Sequence, residues 1–187
     1  MLVSLVHYDF PFSSLPFLEY FELSVNNISG TIPPEIGNLT NLIYLDLSMN
    51  QISGTIPPEI GSLARLQTLH IFDNHLNGSI PEEMGYLRSL TELALSTNSL
   101  NGSIPASLGN LNNLSYLFLN ENHLSGCIPA EMGKLVNLVE AYLEKNQITG
   151  HISPGDLTNA KVFYAFSNEL FGPIPAEIGK MESPKLP

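Results

Sequence analysis

Glu140 and Glu144 stand four residues apart around Tyr142, a spacing that could in principle serve a general acid and a general base. Glutamate is common in this chain, and such pairs arise by abundance alone, so catalysis is not the expected use. Five histidines invite a metal reading. His75 and His123, however, occupy equivalent positions two repeat units apart, roughly 10 Å at about 4.8 Å per strand, too wide for shared ligation at about 2 Å each. Cys127 is the single cysteine, which excludes an intrachain disulfide and a cysteine cage for zinc. The sequence contains no G-x-S-x-G, G-x-G-x-x-G or G-x-x-x-x-G-K-[ST], the signatures of nucleophile elbows and phosphate loops. Neither an enzyme nor a metal or cofactor site is expected.

The totals narrow the partners. The 187 residues carry 7 basic and 18 acidic side chains, a net charge of -11, which repels polyphosphate backbones and anionic membranes. No apolar run approaches the roughly 18 residues of a membrane helix, and "MLVSLVHYDF" lacks a basic leader. Neither membrane insertion nor a signal peptide is expected of the chain as written. At 43% apolar and 13% charged, the sequence is one that folds despite its 14 Gly and 14 Pro.

Residues that could do chemistry must be positioned by something, and here that is a period. "ISGTIPPEIG" fills Ile28 to Gly37 and returns letter for letter at Ile52 to Gly61. Aligning Leu18, Leu42, Leu66, Leu90, Leu114 and Leu138 puts Asn26, Asn50, Asn74, Asn98, Asn122 and Asn146 in one column, and Gly30, Gly54, Gly78, Gly102, Gly126 and Gly150 in another. A unit shortened by two residues around "HISPGDL" shifts the last copy, which regains the columns at Asn168 and Gly172.

Each unit reads L-x-x-L-x-L-x-x-N-x-L-x-G-x-I-P-x-x-I-G-x-L-x-x. In Leu42 to Arg65 the apolar positions are Leu42, Leu45, Leu47, Ile52, Ile56, Ile60 and Leu63. Their burial within one unit falls short of the cost of ordering its whole backbone, so the units must stack and cover one another. "Leu45-Asp46-Leu47" alternates with period two and predicts a short strand, parallel to its copies. Asn50 falls where the chain turns inward, and its amide can pair backbone groups left open by the bend. Seven such asparagines predict a ladder. Gly54 suggests a tight bend, Ile56 and Pro57 a brief extended run on the opposite edge, and "EIGSL" a 3₁₀ or helical turn back.

The pattern, with its Gly-x-Ile-Pro segment, resembles the plant-type leucine-rich repeats of receptor-like kinases, receptor-like proteins and polygalacturonase-inhibiting proteins. The resemblance runs from about Leu15 to Gly179, and "NGSIPEEMGYLRSLTELALSTNSLNGSIPASLGNLNNLS" is especially similar to the extracellular repeats of disease-resistance receptor-like proteins. It implies an α/β leucine-rich-repeat solenoid, a right-handed curved superhelix. A parallel sheet would line its concave face, with short second strands and 3₁₀ or helical turns opposite. Seven repeats over 18–179 are expected between a degenerate flank at 1–17 and a tail at 180–187. The family also carries a signal peptide, paired-cysteine caps and, in receptors, a membrane helix. None is visible, so the piece is expected to be a fragment with fraying ends.

Repeated letters are structural, so recognition must use the variable letters that face the concave surface. These are Tyr20, Glu22, Tyr44, Asp46, His70, Phe72, Asp73, Glu92, Tyr116, Phe118, Glu121, Glu140, Tyr142, Glu144, Tyr164 and Phe166, with Lys145 the main basic exception. Aromatics supply contact area and carboxylates favour Lys or Arg on a partner, so a basic peptide or protein patch is the expected ligand. The resemblance implies protein or peptide recognition in defence or developmental signalling at the plasma-membrane surface or outside the cell, together with a co-receptor. An inhibitor of cell-wall polygalacturonase is an alternative. Ice binding is a second, because Thr31, Thr55, Ser79 and Ser103 form a hydroxyl column that ends at Cys127, His151 and Pro173. N-x-S/T occurs at Asn27, Asn38, Asn77, Asn101 and Asn113, acceptors for glycans in a secreted chain. Cys127 replaces a Ser/Thr member of its column and is expected to be partly exposed.

Overall fold

The computed structural model of the chain describes residues 3–4, 15–153 and 159–176. Within them, strands alternate between two parallel sheets. The front sheet orders β2 (Tyr20–Glu22), β4 (Tyr44–Asp46), β6 (Thr68–His70), β8 (Glu92–Ala94), β10 (Tyr116–Phe118), β12 (Glu140–Tyr142) and β14 (Val162–Tyr164). The back sheet orders β1 (Val3–Ser4), β3 (Ile28–Thr31), β5 (Gln51–Thr55), β7 (His75–Ser79), β9 (Ser99–Ser103), β11 (His123–Gly126), β13 (Gln147–Gly150) and β15 (Glu169–Leu170). Each back strand leads into a 3₁₀ helix in five coils, at Pro34–Asn38, Pro58–Ser62, Glu82–Tyr86, Ala106–Asn110 and Ala130–Lys134. This is the leucine-rich-repeat solenoid with the front sheet on its concave face. Of the two turns the sequence allowed, the 3₁₀ form is used. Proline before or within the first turn presets the extended-to-helical transition, as at Pro57 (φ -70°, ψ 136°).

The core is a single continuous column. Leu42, Leu45, Leu47, Ile52, Ile56, Ile60 and Leu63 of one coil are all essentially fully buried, as are their counterparts through Ile148. Stacking supplies what one coil lacks, and front strands pair in strict register one full repeat apart, Tyr44 with Thr68 and Tyr116 with Glu140.

The asparagine column is the ladder the sequence predicts. Asn50 is 3% exposed. Its Oδ1 accepts the Ile28 N–H at 3.0 Å, and its Nδ2 donates to the carbonyls of Leu23, Leu47 and Ser48 at 2.9, 3.1 and 3.0 Å. Asn74, Asn98, Asn122 and Asn146 repeat this. Asn26 donates to Leu23 and Ser24 at the start of the stack. Across the shortened unit Asn168 still accepts the Ile148 N–H at 2.9 Å, although the two lie closer along the chain than the partners in the other rungs. The deletion is absorbed without breaking the ladder; residues 154–158 lie outside the described set.

Three features differ from the sequence expectation. The second strand begins directly after the ladder asparagine and contains Gly54, which lies in the strand at φ 77° rather than at a bend beyond it. Ile56 and Pro57, read as that extended run, form the link to the 3₁₀ helix. Pairing explains this, because Asn74 fixes Ile52 and the back ladder then holds 51–55. Second, back strands pair with a shorter offset than the front strands, Ser53 opposite His75 and Asn77 opposite Ser99, so they slip by two positions per coil and keep the in/out alternation. Third, Val3–Ser4 pairs with β3, so the sheet reaches into the segment expected as a flank. The remainder of 1–14 and the tail at 180–187 lie outside the described residues.

Close coil spacing also demands Gly61, where a Cβ would meet the Glu83 carbonyl oxygen at 2.5 Å. Replacing Asn74 by Ala leaves the buried Ile52 amide unpaired and removes one of the two donors to each of the Leu47, Ile71 and Phe72 carbonyls. A loss on the order of 3 kcal/mol is expected in urea unfolding followed by far-UV circular dichroism; a loss below about 0.5 kcal/mol, the scale of an ordinary surface change, would contradict the ladder's role.

Candidate functional site: the concave face

In every front strand the middle residue faces the core, as Leu45, Leu69, Leu93, Leu117 and Ala141 do, so its neighbours face outward. The residues singled out in the sequence do lie along this face, but the structure sorts them into groups. Tyr20, Tyr44, His70 and Phe72 form one aromatic run, with successive ring centroids 6.4, 5.9 and 5.9 Å apart. Tyr116, Phe118, Tyr142, Tyr164 and Phe166 form a second, at 6.5, 5.1, 4.9 and 6.3 Å. The Phe118–Tyr142 pair is edge-on and the Tyr142–Tyr164 pair stacked, both favourable quadrupole arrangements. The coil carrying β8 separates the runs with Glu92, Ala94 and Ser96.

The first run encloses a satisfied acid. Asp46, 7% exposed, accepts hydrogen bonds from the Ser48 amide (2.9 Å), the Ser48 hydroxyl (2.6 Å) and the Tyr44 hydroxyl (3.0 Å), with His70 Nδ1 at 3.3 Å. Burial, the largest influence, opposes its ionisation, but the bonds from Ser48, Tyr44 and His70 together outweigh it and hold its pKa below the usual value. Burial first, and the neighbouring Asp46 second, push the Tyr44 hydroxyl up to about 12. His70 Nε2 sits 2.9 Å from Glu92 Oε1 but off the hydrogen-bond axis. One imidazole therefore bridges carboxylates of the coils on either side. Asp46, named in the sequence as a candidate ligand contact, organises the run.

Farther along, Lys145 Nζ donates to Glu121 Oε1 at 2.5 Å, and Thr97 Oγ1 donates to Glu121 Oε2 at 3.3 Å. The lysine's hydrogen bond and charge lower the Glu121 pKa, and the same pair raises that of Lys145. Tyr142 is raised by burial first and then by Glu140. Glu144 is 8% exposed. Glu22 accepts a bond from Ser24 Oγ at 3.3 Å, and Asp73 is exposed at the rim.

Sequence reasoning missed the backbone of that rim. The residue before each ladder asparagine, Val25, Met49, Asp73, Thr97, Glu121, Lys145 and Ser167, adopts φ between 53° and 57°. Left-handed positions usually announce themselves as Gly or Asn, and only Asp73 comes near that signal. From Val25 to Lys145 their backbone amides bond the next coil, as when Asp73 N–H donates to the Ser96 carbonyl at 3.0 Å, and that pairing holds the conformation in the stack.

The other expectations fall elsewhere. Asn27, Asn38, Asn77, Asn101 and Asn113 are exposed and sit on back strands, 3₁₀ helices or their flanks. Asn113 Nδ2 also donates to the Arg88 carbonyl at 2.8 Å. Glycans at these positions would leave the front sheet open. Thr31, Thr55, Ser79, Ser103 and Cys127 are all exposed. The back-sheet slip puts Thr31 opposite Ser53 and Thr55 opposite Asn77, so the hydroxyls run diagonally rather than abreast. His75 contacts Gln51 Oε1 at 2.8 Å, and among the described residues no group of three or more His, Cys, Asp or Glu could hold a metal ion. Among them, too, no helix is long and apolar enough to cross a membrane.

A parallel two-sheet solenoid with an asparagine ladder and an aromatic, acidic front face defines a solenoid repeat protein. The family described as "Leucine-rich repeat region" matches residues 11–117, and "Leucine Rich Repeat" matches 113–135. The chain belongs to the leucine-rich-repeat family. Comparison with curated proteins gives no significant match. Among solved structures, it is 36% identical to the plant peptide hormone receptor RGFR1 in complex with RGF2, with a TM-score of 0.87 over 89% of this chain and 27% of that one. The Arabidopsis receptor kinase HAESA, in complex with the peptide hormone IDA and the co-receptor SERK1, is 35% identical, with a TM-score of 0.87 over 91% of this chain and 29% of that one. A plant ice-binding protein is 28% identical, with a TM-score of 0.76 over 83% of this chain and 51% of that one. The chain thus spans under a third of the two receptor structures.

The depressed pKa of Asp46 fixes a pH dependence. Its ionised bonds stabilise the fold above the unfolded value of about 3.9, and that contribution is lost as pH falls through the lower folded value. Asp46→Asn is expected to flatten this part of the acid limb in urea midpoints measured from pH 6 to 2; an unchanged limb would show that the carboxylate is not held in the way described.

Proposed function

We propose that the chain is a non-catalytic recognition segment of a plant leucine-rich-repeat receptor ectodomain, displayed outside the cell or at the plasma-membrane surface. It binds a peptide or protein ligand, in defence or developmental signalling, on its concave face. The observation that carries the proposal is the second aromatic run, where half-exposed tyrosines and phenylalanines are locked by mutual packing beside Glu140 and Glu144. Such rings contribute binding area at small entropic cost. The likeness to RGFR1 and HAESA supports a peptide ligand, and the HAESA complex supports a co-receptor as a further partner. The excess of carboxylates supports a basic ligand, steered by charge. A polygalacturonase inhibitor would use the same face against an enzyme.

A panel of basic peptides and extracellular plant proteins screened against the folded chain should yield a binder. Changing Tyr116, Phe118 and Tyr142 together to Ala should then weaken it at least tenfold, or about 1.4 kcal/mol. Undiminished binding by the triple variant would remove the concave site.

Ice binding is favoured by one observation, the exposed hydroxyl column on the back sheet of a fold shared with an ice-binding protein. In that reading the chain inhibits ice recrystallisation, and changing Thr31 and Thr55 to Lys abolishes the effect. An inactive unmodified chain excludes it.

A further inference from the structure

Of the five N-x-S/T acceptors, Asn113 stands in a setting of its own. It lies between the 3₁₀ helix Ala106–Asn110 and β10, on the flank where the coil turns into its front strand. Its amide is a rung of a second, lateral ladder. Asn41 Nδ2 donates to the Pro16 carbonyl at 2.6 Å, Ser89 Oγ to Ala64 at 2.8 Å, Asn113 Nδ2 to Arg88 at 2.8 Å and Asn137 Nδ2 to Asn112 at 2.7 Å. Each of these side chains ties its coil to the one before. Asn77 and Asn101 offer the contrast, since they lie in β7 and β9 and their side chains make no hydrogen bond among the described residues.

At Asn113 the flank is hollowed into an open trough of about 710 Å³, lined by Gln67, Ser89, Thr91, Asn113, Ser115, Asn137 and Val139. None of these is charged, although the chain carries 7 basic and 18 acidic side chains. The side chains of Gln67 and Ser115 make no hydrogen bond among the described residues, so their donors and acceptors are unspent. Neutral hydroxyls and amides can exchange hydrogen bonds with a sugar without burying an unpaired charge. We propose that Asn113 carries an N-glycan whose first N-acetylglucosamine seats in this trough. The proposal rests on the extracellular reading, because the sugar donor belongs to the secretory pathway. In the transfer, Nδ2 attacks the anomeric carbon of an oligosaccharide carried on a lipid pyrophosphate. An N–C1 bond forms, the C1–O bond breaks, the lipid pyrophosphate leaves and Nδ2 gives up one proton. Its second hydrogen remains to donate to the Arg88 carbonyl, so rung and sugar coexist. Thr91, Ser115 and Val139 directly precede β8, β10 and β12, so the seat borders the start of the front strands.

The test secretes the full chain from plant cells behind a supplied signal peptide, trims its glycans to one N-acetylglucosamine and maps occupancy by peptide mass. One variant keeps Asn113 and not the other four acceptors (Ser29→Ala, Thr40→Ala, Ser79→Ala, Ser103→Ala). A second keeps Asn77 in the same way (Ser29→Ala, Thr40→Ala, Ser103→Ala, Ser115→Ala). Each is compared with its own sugar-free form made in bacteria. Asn113 should be occupied, and its sugar should raise the thermal midpoint by about 2 °C or more, whereas the sugar on Asn77 should leave the midpoint unchanged. Gln67→Ala, an exposed change on the trough wall, should remove most of the gain at Asn113. An unmodified Asn113, an equal gain from the sugar on Asn77, no gain from the sugar on Asn113, or a gain undiminished by Gln67→Ala would each overturn the seat. Any of these results alongside a ligand that needs Tyr116, Phe118 and Tyr142 would remove the seat and leave the concave-face reading standing. A seated sugar on a chain that binds no ligand on that face would do the reverse.

Discussion

The structure depends on one side-chain interaction, the amide of the ladder asparagine reaching from its own coil to the one before. Asn50 closes its local turn by donating to Leu47 and Ser48, and in the same act takes the Ile28 amide and the Leu23 carbonyl of the preceding coil. Asparagine can do this because it is donor and acceptor on one short rigid group. Each coil changes from front strand to back strand at this point, where backbone groups leave sheet pairing and cannot reach water. Without the amide, buried N–H and C=O groups would be orphaned at every step of the stack.

Uniform stacking turns local variation into a surface. Because front strands pair one full repeat apart and without slip, any residue on the face sits beside its counterparts on the coils before and after. Tyr142 meets Phe118 on one side and Tyr164 on the other, and His70 meets Asp46 and Glu92. Such contacts join residues a whole coil apart in the chain, and they make side chains that would be independent in an isolated strand into two ordered aromatic runs. They also engage some of the acids in organising the face, as with Asp46.

The repeat, the strands, the core letters and the ladder were legible because each is a local rule restated in every unit. The two-residue deletion was visible for the same reason. The second strand was misplaced because Gly54 and Pro57 dominate the local signal, whereas the strand is set by pairing with the neighbouring coil. The left-handed rim was invisible, since Val25, Met49 and Lys145 carry no mark of it and only the hydrogen bonds to the next coil impose it. For the concave face, the sequence named the residues but treated them as one list. It could not separate Asp46, whose carboxylate is bonded by Ser48, Tyr44 and His70, from Glu144, whose Oε2 is buried without a hydrogen-bond partner among the described residues.

The sequence by itself determined that the chain folds as equivalent parallel coils with aromatic and acidic letters on one face. In-out alternation and burial are properties of short segments, and repetition multiplies their evidence. Tertiary structure alone decided the slip of the back sheet, the split of the face into two runs and the burial of the Glu144 carboxylate. Each depends on the distance and orientation between side chains on different coils, quantities fixed by stacking geometry and not encoded at any single position.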